Sequence, residues 1–195
     1  MTEPERKESC YYNFVQLSDG IALAKEFPYT FEIPSKKTLK KLKKGDLVKL
    51  IFEIESNDDE ATSAERMWVK IQEQKGKSLT GLLDNKPKFI QNLKIGDLID
   101  FEERHIIATE YAEDIISLPQ KYSKHCFVTN NILYEGTKIG YLYRENPDHD
   151  DDSGWRIMPA EVSDEYLNNA ENCSYVSLGA VLTRDDSIVD ILSTP

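Results

Sequence analysis

Residues 38–53 read TLKKLKKGDLVKLIFE, and residues 89–103 read FIQNLKIGDLIDFEE. Aligned on Gly45-Asp46 and Gly96-Asp97, they form an internal repeat in which LKKGDLV (42–48) answers LKIGDLI (93–99). Each copy is expected to be a helix, a Gly-Asp turn and a strand. Glycine supplies the positive φ at which a helix ends and the chain reverses, and aspartate bonds its own backbone there. The role expected of Gly45, Asp46, Gly96 and Asp97 is therefore structural.

Working outward, Ser35 is placed to cap a short helix over KKTLKKLKK, with Leu39 and Leu42 three apart on one face. After the first Gly-Asp turn, LVKLIFEIE has the β-branched and aromatic content of a strand. SNDDEATSAE is polar enough to be a loop. RMWVKIQEQ then alternates Met67, Val69 and Ile71 with Trp68, Lys70 and Gln72, and SLTGLLDN follows Lys75-Gly76-Lys77. That pattern predicts an antiparallel meander. Upstream, residues 1–10 read as a flexible tail, and part of Tyr11 to Phe27 as helix. HIIATEYAEDIIS (105–117) is strand-like and stops at Pro119, which marks a domain boundary.

Beyond it, CFVTNNIL and TKIGYLYRE flank Tyr134-Glu135-Gly136, a turn signal that predicts a hairpin. The acidic loop NPDHDDDSG leads into WRIMPAE, Ser163 caps a short helix over SDEYLNNA, SYVSLGAVL reads as a strand and SIVDILS as a terminal helix or turn. The expected fold class is α+β in two small modules. Residues 11–121 form a barrel-like antiparallel meander with short helices, and residues 122–195 an antiparallel sheet with one or two short helices.

The net charge of −11 is unevenly spread: residues 122–195 carry 5 basic against 13 acidic side chains. Such a surface repels phosphate backbones and complements a basic partner. No stretch approaches a membrane span, and Cys10, Cys126 and Cys173 share no short spacing, so free thiols and a cytoplasmic location are expected.

Asp148, Asp150 and Asp152 alternate like the start of a calcium loop, but Ser153 and Pro159 stand where that loop needs Gly and Glu. His105, His125 and His149 lie apart in sequence. His125 beside Cys126 does not make a nucleophile pair, because neighbours on a strand point to opposite faces. With no GxSxG, Walker or GxGxxG motif, no catalytic, cofactor-binding or metal-binding residue is expected. Lys36, Lys37, Lys40, Lys41, Lys43 and Lys44, with Trp68 and Phe52, form either a nucleic-acid patch or a solvated helix face. The constellation that suits partner binding is Tyr143, Arg144, Glu145, Asp148, Asp150, Asp151, Asp152 and Trp155, where aromatics flank opposed charges. Arg144 is placed equally well to pair with the acidic loop, and Trp155 fits either an interface or the core.

The stretch CFVTNNILYEGTKIGYLYRENPDHDDDSGWRIMPAEVSDEYLNNAEN (126–172) resembles the bacterial domain-of-unknown-function family 2185, a predicted immunity-protein domain of the immunity protein 33 type. The resemblance rests on Val128, Thr129, Gly140, Tyr141, Tyr143, Arg144, Glu145, Asp152, Ser153, Gly154, Trp155, Glu165 and Tyr166, and covers residues 124–195. One departure is MPAE, where the pattern has Gly before the acidic residue. The first module more loosely resembles domain-of-unknown-function family 2314 through LKKGDLVKLIFE, ERMWVKI, GLLDNKP and LKIGDLIDFEERHI. That likeness implies no activity. The second implies a non-catalytic protein encoded beside a polymorphic toxin, which binds and neutralises it; the expected partner is a basic toxin domain. The alternatives are a nucleic-acid-binding regulator acting through the first module's lysines and a small-molecule enzyme.

Overall fold

The structure is a computed structural model that describes residues 13–54 and 64–192. The tail expected at 1–10 and most of the loop SNDDEATSAE lie outside the described residues. The chain divides into two compact units, residues 1–25 with 33–114 and residues 26–32 with 115–195.

The first unit holds β1 (Phe14–Leu17), α1 (Gly20–Glu26), α2 (Lys36–Leu39), β2 (Leu47–Ile54), β3 (Ala64–Lys75), β4 (Ser78–Leu83), β5 (Leu98–Glu102) and β6 (Ala108–Thr109). Its strands form one antiparallel, barrel-like sheet in the order β1-β2-β3-β4-β5, with β6 also on β2. The expected meander is present. Alternation drives it: Met67, Val69 and Ile71 point inward with Val48, Leu50, Phe52, Leu79 and Leu83, while Lys70 stands outside. Gly76, at φ +64, opens the two-residue turn between Lys75 and Ser78.

The repeat is real, but its turns are not helix ends. Asp46 N–H donates to the Lys43 carbonyl at 3.1 Å, and Asp97 N–H to that of Lys94 at 3.1 Å. Gly45 and Gly96 take φ of +98 and +87 at the third position of these turns, where type II geometry requires it. Each aspartate also accepts the N–H three residues back, Lys43 at 3.0 Å and Lys94 at 2.9 Å. The two turns even dock alike: Gly45 N–H donates to Ile71 O and Ile71 N–H to Asp46 O, while Gly96 and Leu83 repeat the exchange with Asp97. Ser35 caps α2 as expected, accepting from Thr38 N–H, but the helix ends at Leu39. No helix forms over 89–95, where Glu65 Oε1 takes the N–H groups of Lys88 and Phe89 at the approach. HIIATEYAEDIIS supplies only the two-residue β6.

Because a Cβ on Gly96 would meet nothing within 4 Å, Gly96→Ala isolates backbone strain. It should lower stability by about 1–2 kcal/mol in urea titration, the cost of a left-handed non-glycine residue.

The second unit holds α3 (Leu118–Lys121), β7 (His125–Thr129), α4 (Asn130–Glu135), β8 (Tyr141–Arg144), β9 (Asp152–Met158), α5 (Asp164–Leu167), β10 (Cys173–Ser177), α6 (Leu178–Arg184) and α7 (Val189–Leu192). Sheet order is β10-β7-β9-β8. The α+β class stands, yet two details differ from expectation. Tyr134-Glu135-Gly136 is no hairpin turn: Gly136, at φ +73, ends α4. The chain therefore returns through β8, and β9 runs parallel to β7 where a hairpin would have paired antiparallel. SYVSLGAVL likewise splits into β10 and α6, since Ser177 accepts from Ala180 N–H and starts a helix. Ser163 caps α5 and SIVDILS yields α7, as expected. Among the described residues no helix is long and apolar enough to cross a membrane.

Candidate protein-interaction face

Strand alternation gives the second sheet two unlike faces. Cys126, Val128, Trp155 and Ile157 join Ile132 and Leu133 of α4 and Leu178, Val181 and Leu182 of α6 in one core. The residues between them line the opposite face. There Tyr175, Phe127, Arg156 and Tyr143 stand directly opposite one another, one from each strand, in an unbroken row. Cys173 pairs with Thr129 and Met158 with Tyr141 on one side of it, and Ser177, His125 and Asp152 continue it on the other. Phe127 is 42% exposed, Tyr141 53% and Tyr143 38%, which is far more than a covered sheet face allows.

The row is held by ring contacts. Phe127 and Tyr175 have centroids 4.9 Å apart, and the Arg156 guanidinium lies 4.9 Å over the Phe127 ring. His125 stacks on Tyr175 at 5.1 Å, and His149 meets its edge at 5.7 Å.

Arg156 is the centre of the charge arrangement. Its Nη1 and Nη2 donate to the two Asp152 carboxylate oxygens at 3.1 Å each, and its Nε donates to Glu145 at 3.0 Å. Asp148 lies 3.9 Å away. Asp152 also accepts from Gly154 N–H at 2.8 Å and Asp148 N–H at 3.2 Å. The Arg156 hydrogen bonds, chiefly, hold the Asp152 carboxyl well below the usual carboxylate range. The DSG sequence creates this geometry: β9 carries extra residues between the pairs His125–Asp152 and Phe127–Arg156, with Gly154 at φ +78 in the irregularity. Ser153 Oγ donates to the His125 carbonyl at 2.6 Å and ties the bulge to β7.

The residues singled out in the sequence are thus divided. Tyr143 stands on the open face, and Glu145 and Asp148 flank it through Arg156. Asp151 pairs with His125 at 2.8 Å, Asp150 is exposed in the connecting segment, and Arg144, exposed at the end of β8, donates from Nε to the Ser153 carbonyl at 3.3 Å. Asp152 does not belong to an exposed loop, because it is 1% exposed and clamped by Arg156. Trp155 is 9% exposed and sits in the core, with the Arg144 guanidinium 5.7 Å from its ring. Phe127, Arg156, Tyr175 and Tyr141 were missed as site residues. The alternation of CFVTN between Cys126 and Val128 was the available signal for Phe127; the pairing of Asp152 with Arg156 depends on a bulge.

Elsewhere the candidates resolve simply. Cys126 is fully buried and its thiol is pushed up to about 12 by that burial, so it is no activated nucleophile. His105 Nδ1 accepts the Glu102 N–H at 3.0 Å. Among the described residues no three His, Cys, Asp or Glu side chains gather to hold a metal. Phe52 is buried, whereas Trp68 is half-buried with Lys49 4.5 Å over its ring.

The Immunity protein Imm33 domain matches residues 126–195, and DUF2314, an uncharacterized protein conserved in bacteria, matches residues 19–118. The chain belongs to the DUF2314 family. No curated protein and no solved structure matches it. The second-module resemblance therefore holds as Imm33 rather than under the number 2185, and the row Tyr175–Phe127–Arg156–Tyr143 of this DUF2314 protein lies within its Imm33 match. The motif glycines of that stretch serve the face. A Cβ on Gly140 would collide with the backbone of Ala160, and one on Gly154 with the Glu145 carbonyl.

Proposed function

We propose that this protein is a non-catalytic immunity protein of a toxin system, which binds a basic toxin domain in the producing cell and neutralises it by occlusion. The observation that carries this reading is the open row Tyr175–Phe127–Arg156–Tyr143 beside an acidic segment, in a unit that matches an immunity domain. An apolar, aromatic centre with a charged rim is the anatomy of a protein interface. Residues 141–156 hold five carboxylates and two guanidinium groups, so the rim favours a basic partner. Occlusion requires no chemistry from the immunity protein, and the fully buried Cys126 supplies none.

Co-expression with the toxin encoded beside the gene tests the reading. The wild-type chain should restore growth, and the double variant Phe127→Ala, Tyr143→Ala should lose protection while remaining folded. Its affinity for the toxin domain should fall by about 2–4 kcal/mol in titration calorimetry. Failure of the wild-type chain to protect against, or to bind, the neighbouring toxin defeats the proposal.

A further inference from the structure

β8 is the outer strand of the second sheet, and among the described residues it pairs with β9 alone. Three of its four residues, Tyr141, Tyr143 and Arg144, are exposed, whereas β10 at the opposite edge is half-buried throughout. The phase of the β8–β9 ladder is set where it ends, because Glu145 N–H donates to Gly154 O at 2.9 Å. In an antiparallel pair, alternate residues turn their backbone groups toward the neighbouring strand. Tyr141, Tyr143 and Glu145 therefore face β9, and Leu142 and Arg144 turn their N–H and C=O groups to the free side. Such an edge is a template for another strand unless a charge, a proline or a covering element blunts it. The sole charge on β8 is turned inward: the Arg144 guanidinium lies 5.7 Å from the Trp155 ring, and its Nε donates to the Ser153 carbonyl at 3.3 Å. Along the open face the same edge presents Tyr141 and Tyr143, with ring centroids 5.9 Å apart, and then Glu145. Glu145 and Asp148 are 51% and 78% exposed at the side chain.

We propose that the free edge of β8 takes up an antiparallel strand from the protein partner, with a lysine or arginine of that strand set against Tyr143 and Glu145. The inference rests on the reading of the protein as toxin-binding and names how the toxin is held. Main-chain hydrogen bonds to Leu142 and Arg144 select an extended segment, and alternate side chains then select its composition. Side chains on the open-face side of the added strand lie directly opposite Tyr143 and beside Glu145. A cation there meets an aromatic ring and a carboxylate at once, with Asp148 close by. A second copy of this chain suits the edge less well, because each copy carries a net charge of −11 and brings another acidic segment.

The test uses the isotope-labelled full-length chain and a short blocked peptide of alternating valine and lysine, followed by NMR. The peptide should shift the amides of Leu142 and Arg144 and slow their exchange with solvent. The matching valine–glutamate peptide should bind at least about tenfold more weakly. Backbone chemistry gives a sharper arm. In the proposed register the valine N–H groups face β8 and the lysine N–H groups point away, so N-methylation of the valines should abolish binding and N-methylation of the lysines should spare it. Arg144→Pro, which removes an N–H that the pairing with β9 does not use, should abolish the shifts as well. Equal binding of the lysine and glutamate peptides, indifference to which residues are methylated, or no shift at these amides overturns the inference, and it does so even if Arg144→Pro fails to fold. A free chain that sediments as a dimer, and that Arg144→Pro dissociates, gives the edge to a second copy and overturns it too. If the valine–lysine peptide binds as described but the wild-type chain neither binds nor protects against the neighbouring toxin, the toxin reading falls and the edge stands. If the toxin domain binds while the amides of Leu142 and Arg144 exchange as fast as in the free chain, the edge falls and the toxin reading stands.

Discussion

Replacing Arg156 by Met is expected to destabilise the second unit by about 3–5 kcal/mol, measured by urea unfolding of the full chain under far-UV circular dichroism. The guanidinium side chain is 10% exposed and Asp152 1%, so the substitution strands a buried carboxylate that has lost its two best donors. Breaking one partner of a buried pair costs about this much, while replacing both with apolar or neutral groups often costs little. The double variant Asp152→Asn, Arg156→Met should therefore recover most of the loss. The pH dependence follows the same pair. Asp152 is held below its ordinary value of 3.8 in the folded chain, so it binds its proton less readily there than in the unfolded chain. Its stabilising contribution is fully present above about pH 4 and is lost as pH falls through the lower folded value. Wild-type stability should drop with acid in that range, and the drop should be smaller in the double variant. A loss below about 1 kcal/mol for Arg156→Met would show that the pair carries no buried charge.

What could be read from the sequence followed from short-range physics. The alternation in RMWVKIQEQ, the glycine at 76 and the caps at Ser35 and Ser163 are decided within a few residues, and each stands in the structure. The Gly-Asp repeat was visible, but its geometry was not. A glycine at positive φ serves both a helix end and a type II turn, and only the docking of Gly45 on Ile71 and of Gly96 on Leu83 selects the turn. Gly136 is the converse case: a glycine after Tyr134-Glu135 suits a hairpin, whereas the buried Ile132 and Leu133 commit the segment to α4. The site was half legible for a related reason. Tyr143 and the exposed acids stand out by composition, but the row through Tyr175, Phe127 and Arg156 is written across four strands, and its register rests on a parallel pair and a bulge. Assignment of residues 26–32 to the second unit depends on contacts of high sequence separation, such as Glu32 with Gln120 and the Tyr29 ring with Tyr122 at 5.9 Å.

Trp155 was ambiguous between anchor and core, and its two roles predict opposite results. Strand alternation places it on the covered side of β9, one residue from Arg156 on the open side, among the buried residues of the α4 and α6 core. Trp155→Ala should then cost about 3–5 kcal/mol of stability, the usual loss when a large buried aromatic is truncated and leaves a cavity. The contrasting substitution is Phe127→Ala. Phe127 is 42% exposed and contributes its ring to the open face, so its removal should change stability by less than about 1 kcal/mol while weakening binding of the neighbouring toxin domain. At a temperature where Trp155→Ala is still folded, that variant should keep its affinity for the toxin domain, because no residue of the open row is altered. Urea unfolding and toxin titration on both variants give a crossed pattern if the two faces have the roles assigned to them. The reverse pattern, with Trp155→Ala stable but unable to bind and Phe127→Ala unfolded, would move the interface to the other side of β9.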